Sequence, residues 1–402
     1  MKILTLNCGS SSIKYQLFDF TDGETLLAKG LLERIGLPDS ILTHKVVLRG
    51  EEYKETRSIP THTEGIGWII QWLLDSEKGV LKAKEEISAV GHRVAHGGEF
   101  FSESVFISED VEKKIEELCD LAPLHNPANL KGIRAMAALL PGVPQVAVFD
   151  TSFHHTLPEK AYLYALPYEY YEKYRIRRYG FHGTSHKYVA QKAASMLGKN
   201  WEDLKIITCH LGNGSSIAAI DKGKSIDTSM GFTPVEGLVM GTRTGDLDLG
   251  ALLSIMEKEN LDVKQATDLI NKKSGMLGLS GISNDMRDIE KAAHEGNRRA
   301  QVALEVFAYR VKKYIGAYIA ALNGLDLLVF TGGIGENDYE ARKLICANME
   351  YLGIKIDIEK NCFLKGHDEI ISTPDSRVTV MVVGTNEELV IARDTLRIVG
   401  KK

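Results

Sequence analysis

The chain has 402 residues, of which 44% are hydrophobic and 26% charged, and a formal net charge of −5. This is ordinary globular composition, and the length predicts roughly two to three domains. The negative balance argues against nucleic acid or an anionic membrane as a partner, since both reward basic surfaces. No uncharged apolar run reaches membrane-spanning length.

An anionic substrate must therefore be held by local cations rather than by the overall field. No basic-then-apolar leader precedes the first strand-like run, and Cys8, Cys119, Cys209, Cys346 and Cys362 are scattered without CxxC spacing. Reduced thiols in a cytoplasmic protein are the expectation.

In chain order, Ile3–Asp19 (ILTLNCGSSSIKYQLFD) reads as a strand, a Gly/Ser/Asn turn and an alternating strand carrying Lys14. A more polar stretch follows through Pro60. Trp68, Ile69, Trp72 and Leu73 then recur at helical spacing. Ile87–Arg93 is a strand ending in GHRVAHGG, and a helix with Val111, Ile115 and Leu118 on one face comes next. The loop PLHNP leads into a helix over Leu130–Leu140, and Val146–Asp150 is a short buried strand ending on an acid. Strands alternate with helices, the α/β pattern.

Past Thr151, aromatic-rich loops reach FHGTSH, where Ser185 is placed to cap a helix running to Gly198. Ile206–Ile220 (IITCHLGNGSSIAAI) repeats the opening grammar of strand, glycine turn and strand. Glycines there let backbone N–H groups approach an anion, and Ser215 and Ser216 add hydroxyl donors. After the loop-heavy 227–248 stretch, the clearest helix carries Leu304, Phe307, Val311, Ile315, Tyr318, Ile319 and Leu322, closed by Gly324. Leu327–Asn337 (LLVFTGGIGEN) ends a buried-type strand on a loop with Gly332, Gly333 and Gly335. Val378–Val383 makes one more strand, and a last helix begins at Asn386 and Glu387.

Three strands each delivering a Gly/Ser/Asn loop suggest one nucleotide gripped from several sides. No GxxxxGK[ST] occurs, and TGGIGEN misses the GxGxxG spacing, so neither a Walker loop nor a Rossmann cofactor is expected. The two α/β halves, each opened by such a hairpin, suggest a duplication with a cleft between.

Arg93 and Arg243 lie in glycine-rich loops suited to bidentate capture of carboxylate or phosphate. One such arginine alone reads as a structural ion pair; two shift the reading toward function. Asp150, Glu387 and Asn7 could give Mg²⁺ its few protein oxygens, whereas Asp246 and Asp248 read rather as turn and cap residues. His92/His96 and His182/His186 are each four apart, but neither pair has the HExxH glutamate, and zinc is not expected. His182, beside Gly183, fits better as a donor toward developing charge.

NCGSSSIKY, GHRVAHGGE, PLHNP, FDTSFH, RYGFHGTSH, CHLGNGSS, DTSMGFTPVEGLVMGTRTGDLD, TGGIGEN and TNEELVIARD occur in that order over nearly the whole chain. The ordered set closely resembles the acetate kinase family, within the acetate and sugar kinase, Hsp70 and actin superfamily. The resemblance implies an α/β fold of two duplicated ribonuclease H-like (actin-like ATPase) domains around an interdomain cleft. The first would span 1–150 plus 386–402, and the second, nucleotide-binding one 151–385.

It also implies reversible transfer of the ATP γ-phosphoryl group to a short-chain carboxylate, giving an acyl phosphate and ADP, with Mg²⁺ (Mn²⁺ able to stand in) and as a homodimer. By resemblance, His210, Leu211, Gly212, Asn213, Gly214, Asp285, Met286, Arg287, Gly333, Ile334, Gly335, Glu336 and Asn337 would hold the nucleotide, with Lys14 near its phosphates. Arg93 and Arg243 would clamp carboxylate and phosphoryl, His182 would steady the transition state, Asp150 would be the catalytic acidic residue, and Asn7 and Glu387 the magnesium side.

A carboxylate is ionised near neutral pH and needs no general base, so Asp150 is expected to orient rather than to take a proton. In the family the residue two after the clamping arginine lines the acid's alkyl pocket and is commonly valine. Here it is Ala95, while Leu124, Phe181 and Pro234 match. The larger pocket makes propionate a competitor of acetate. A nucleotide-driven interaction protein, as in actin or Hsp70, is the reading from a different class. The motifs run nearly to the C-terminus and leave no room for an appended peptide-binding domain.

Overall fold

The computed structural model describes residues 1–364 and 368–401. Lys402, the last residue of the expected first domain, lies outside them, as do 365–367 of the second. The chain forms two compact units, Met1–Ser152 with Asn386–Lys402, and Phe153–Thr385.

The first unit holds eight strands: β1 (Lys2–Cys8), β2 (Ser12–Asp19), β3 (Thr25–Glu33), β4 (Ser40–Val46), β5 (Glu51–Arg57), β6 (Ile87–Val94), β7 (Val105–Phe106) and β8 (Gln145–Phe149). Their order is β5-β4-β3-β2-β1-β6-β8-β7. β1 through β5 pair antiparallel in succession, and β6 lies parallel to both β1 and β8. Alternation on β1 gives the sheet two apolar faces. Leu4, Leu6 and Cys8 pack with Trp68, Trp72 and Met136, whereas Ile3, facing the other way, meets Ala392 of the helix Glu387–Val399. That helix begins where Asn386 accepts a hydrogen bond from the Leu389 amide (3.1 Å).

The second unit holds β9 (Lys205–His210), β10 (Ser216–Asp221), β11 (Lys224–Thr228), β12 (Leu327–Thr331), β13 (Glu369–Ile370) and β14 (Thr379–Val382) in the order β11-β10-β9-β12-β14-β13. One face packs Ile206, Ile220 and Val329 against the helix Gly183–Met196. The other packs Ile207, Ile217 and Phe330 against the helix Arg298–Leu322. β3-β2-β1-β6-β8 and β11-β10-β9-β12-β14 are one topology used twice: three antiparallel strands, then two parallel ones. This is an α/β fold of two duplicated, actin-like ATPase domains. Among the described residues no helix is long and apolar enough to cross a membrane.

Several local expectations are corrected. The polar stretch before Pro60 contains β4 and β5, and β5 is an edge strand with nearly every side chain exposed, so charge hid it. TGGIGEN is not a loop but a helical turn, Gly332–Asn337. Ser185 does not cap its helix. His182, in the left-handed region (φ 56°), starts it, and the Ser185 hydroxyl lies 2.8 Å from both His210 Nδ1 and Thr385 Oγ1. The long helix ends on Asn323 (φ 53°), one residue before Gly324.

Candidate functional site

In the first unit, β1, β6 and β8 run parallel and release their chains at the same sheet edge, where α/β folds gather ligand-binding residues. Asn7 stands near the end of β1, Arg93 near the end of β6, and Asp150 just past β8. Arg93 Nε donates to both Asp150 oxygens (3.0 and 3.1 Å), and its Nη2 donates to Oδ2 (2.5 Å). Its Nη1 donates to Asn7 Oδ1 (3.2 Å). Burial opposes the Arg93 charge, yet Asp150 and then Glu387 outweigh it and raise the guanidinium above its ordinary pKa.

The helix Glu387–Val399 brings two acids in its first turn. Glu388 is buried and paired with Lys14 Nζ at 2.5 Å. Glu387 is pushed up to about 7 by burial, with Arg93 opposing and Asp150 and Glu388 adding to the rise. Three carboxylates thus crowd two cations in a partly dry place, and an additional positive charge would relieve them. Hard oxygen donors suit Mg²⁺, which keeps water and phosphate oxygens as most of its ligands. Among the described residues, no three His, Cys, Asp or Glu side chains are grouped to hold a metal by themselves.

Two residues that the sequence reading did not single out shape this half. Asn126 Oδ1 accepts from the His96 amide and Asn129 Oδ1 from the Ala95 amide, each at 3.0 Å. Asn129 Nδ2 also donates to the Cys8 carbonyl (2.8 Å), tying the loop after β6 to the end of β1. The only signal was their place in and beside PLHNP. Ala95 is 5% exposed, whereas Leu124 is 54% exposed.

In the second unit, the β9–β10 turn meets His182 and Arg243. A Cβ built on Gly214 would stand 3.5 Å from both Arg243 Nη1 and His182 Nε2. His182 Nδ1 lies 2.9 Å from Ser216 Oγ, and its ring stacks on His210 with centroids 4.3 Å apart. Arg243 Nη1 also donates to the Pro234 carbonyl (3.3 Å), so the arginine and the proline of one long loop are braced together. Phe181, buried, packs with Met230 and Met240.

Beside this turn lies a cavity of about 540 Å³, a volume ordinary for a small-molecule site. Gly212, Asn213, Asp285, Met286, Arg287, Gly333, Ile334 and Asn337 line it. Of the residues expected at the nucleotide, His210, Leu211, Gly214, Gly335 and Glu336 are not on its wall, and Lys14 belongs to the first unit. Leu211 instead accepts the Ile334 amide (2.9 Å), and Glu336 Oε1 accepts the Gly332 and Thr385 amides (3.0 and 3.1 Å). Gly332 has φ 77° and leaves only 2.6 Å between a would-be Cβ and the Leu211 oxygen, so no side chain fits there. Asp285 grips Arg287 Nε and Nη2 (2.9 and 2.5 Å), and that hydrogen bonding lowers its carboxyl to about 2. Glu290 and Asp338 also line the cavity. The Glu290 carboxyl is raised, first by burial and then by its hydrogen bond with Asp338.

His92 and His186 serve the framework. His92 Nε2 lies 2.6 Å from Gln145 Oε1, and His186 lies 2.7 Å from both Thr208 Oγ1 and Ser216 Oγ. Asp248 caps a helix through the Ala251 amide (2.8 Å), and Asp246 accepts from the Gly237 amide and Tyr314.

A model of the acetokinase family matches residues 2–393. An acetate kinase of Parabacteroides distasonis is 60% identical over 404 residues, spanning 100% of both chains. Among solved structures, an acetate kinase of Porphyromonas gingivalis is 52% identical with a TM-score of 0.95, covering 99% of each chain. A propionate kinase of Francisella tularensis is 42% identical with a TM-score of 0.92, again covering 99% of each chain.

Proposed function

This chain belongs to the acetokinase family, and from that premise we propose that it transfers the γ-phosphoryl group of ATP to acetate, reversibly, giving acetyl phosphate and ADP. The observation that carries this reading is a braced arginine in each unit, the second of them beside a nucleotide-sized cavity. Arg93 is oriented by Asp150, and Arg243 stands with His182 over the Gly214 turn, beside the 540 Å³ cavity.

Phosphoryl transfer asks a protein for in-line positioning and for neutralisation of spreading negative charge. Arg93 holds the acid's carboxylate, and Asp150 fixes the angle of that guanidinium. The acid arrives ionised, so no proton has to be removed. Arg243 and His182 aim donors at the transferring phosphoryl group. The cavity walls hold the base and ribose of the nucleotide, and the Gly212–Gly214 turn approaches its phosphates, with Lys14 as a further cation. Asn7 and Glu387 would hold Mg²⁺ (or Mn²⁺ in its place), which when bound neutralises phosphate oxygens. Transfer is direct, without a phosphorylated Glu387. Inversion at a chiral γ-phosphorus is the expected outcome, and net retention would contradict it.

A second reading, preference for propionate, is favoured by Ala95 standing where the family pocket commonly carries valine. The purified protein incubated with ATP, Mg²⁺ and acetate, propionate or butyrate, with acyl phosphate trapped as hydroxamate, separates the two. Acetate as best acceptor supports the first reading and propionate the second; no hydroxamate from any acid, with ATP still bound, overturns both. The protein acts in the cytoplasm on small molecules, without nucleic acid or membrane partners. A homodimer is supported by the helix Leu249–Glu259, which buries none of its residues and leaves Leu249 and Leu253 73% and 64% exposed.

A further inference from the structure

We propose that Thr208, His186 and Ser216 are positioning residues that hold the proton of His182 on Nε2, the atom that faces the Gly214 turn. The inference deepens the phosphoryl-transfer reading and rests on it for its kinetic consequence, though not for the tautomer itself.

The arrangement follows from alternation on two strands. Register sets Ala218 opposite Thr208, so Ile206 and Thr208 on β9 share a face with Ser216, Ala218 and Ile220 on β10. The helix Gly183–Met196 packs Val189 and Ala193 over Ile206 and Ile220. Its start, with His182 and His186 one turn apart, lies over the polar end of the same face. Thr208, Ser216 and His186 are fully buried there. His186 Nδ1 lies 2.7 Å from Thr208 Oγ1, and His186 Nε2 lies 2.7 Å from Ser216 Oγ. Ser216 Oγ in turn lies 2.9 Å from His182 Nδ1. Burial, and then His154 and His210 nearby, hold His186 well below the ordinary histidine range, so its ring carries one proton. Ser216 has one hydroxyl proton to share between two imidazoles. Such a chain can run in only two directions.

Its closed end decides between them. Among the described residues the Thr208 hydroxyl has no partner but His186 Nδ1. Were the His186 proton on Nδ1, the Thr208 hydrogen would be buried without an acceptor, which is costly. Thr208 therefore donates to His186 Nδ1, His186 Nε2 donates to Ser216 Oγ, and Ser216 donates to His182 Nδ1. That leaves the His182 proton on Nε2, aimed where Arg243 Nη1 also points. The opposite direction would turn a lone pair toward the phosphoryl oxygens. Tying the helix to the sheet would be served by either direction; the Thr208 end gives the chain its sense.

The test is long-range proton–nitrogen correlation NMR of the isotope-labelled full-length protein, read at the histidine ring nitrogens. The His182 signals are assigned by their loss in His182→Gln. The parent should show His182 protonated at Nε2, with Nδ1 as an acceptor. Thr208→Val keeps the shape and removes the hydroxyl, so a form of His182 protonated at Nδ1 should appear beside the first. Its kcat for acyl phosphate should fall about tenfold, while the KM values for ATP and acid change less than about twofold. Thr208→Ser restores the hydroxyl and should return both spectrum and kcat toward the parent's. A parental His182 proton on Nδ1, alone or with one on Nε2, would overturn the proposal. So would an unaltered His182 signal in Thr208→Val, or equal kcat losses in Thr208→Val and Thr208→Ser. The parent spectrum is decisive even if Thr208→Val folds poorly. It reads the tautomer whether or not phosphate is transferred, so this inference and the phosphoryl-transfer reading fail separately.

Discussion

His182 and Arg243 aim at one point: Nε2 of the first and Nη1 of the second each stand 3.5 Å from where a Cβ on Gly214 would lie. The gap is wide enough for a methyl group in ordinary contact, and it is also where two donors converge. Gly214→Ala is therefore predicted to fold with a melting temperature close to the parent's while turnover falls by roughly 10–100-fold. Full activity in that variant would place the reacting group elsewhere.

Asp150 is predicted to act by orienting Arg93. Asp150→Asn keeps the shape and removes the charge that grips three guanidinium contacts. The acid substrate's KM should rise strongly, whereas turnover at saturating acid and fixed pH should fall less. Loss of the acidic limb of the pH–rate profile, with KM unaltered, would instead make Asp150 a proton acceptor.

Gly241 faces Asn213. A Cβ there would stand 2.0 Å from Asn213 Oδ1, so Gly241→Ala must push that side chain from the cavity wall. Steady-state kinetics should show the KM for ATP rising by about tenfold or more, with the KM for the acid little altered. Equal rises in both would point to general misfolding of the unit.

Ala95 is buried, and its amide donates to Asn129 Oδ1. Ala95→Val adds two methyl-sized groups where the proposed acid's alkyl group would lie. The predicted loss is greater for propionate than for acetate, by roughly 10-fold or more in kcat/KM. Equal losses would remove Ala95 from acid selection.

Acid should weaken the fold. Burial holds His92 and His154 at about 4, below the ordinary 6.5. Between those values the unfolded chain binds protons that the folded chain refuses. The stability these groups contribute is thus complete above about pH 6.5 and is lost as pH falls toward about 4. Each displacement corresponds to about 3 kcal/mol. Urea unfolding at pH 7.5, 5.5 and 4.5 should show the midpoint dropping stepwise; a midpoint constant over that range would contradict the burial of neutral imidazoles.

The hairpins at Asn7–Ser12 and Gly212–Ser216 were legible in the sequence because local residue types decide them: glycines for the backbone, serines for donors. The core helices were legible from periodicity alone. β5 was not, since an edge strand exposed on both sides carries no hydrophobic alternation. Nor were the roles of Ser185, Asn126, Asn129 and Glu336. Each is set by hydrogen bonds across 25 to 200 residues of chain, or by a left-handed residue at a helix start, and neither leaves a trace in nearby spacing.

The measurement that bears most directly on the proposed chemistry is ATP-dependent acyl hydroxamate formation by the parent, Arg93→Ala and Arg243→Ala, with melting temperatures taken in parallel. The predicted result is acetohydroxamate from the parent and at least about a hundredfold less from each variant, all three remaining folded. Near-parental turnover in either arginine variant would contradict the charge-neutralising mechanism.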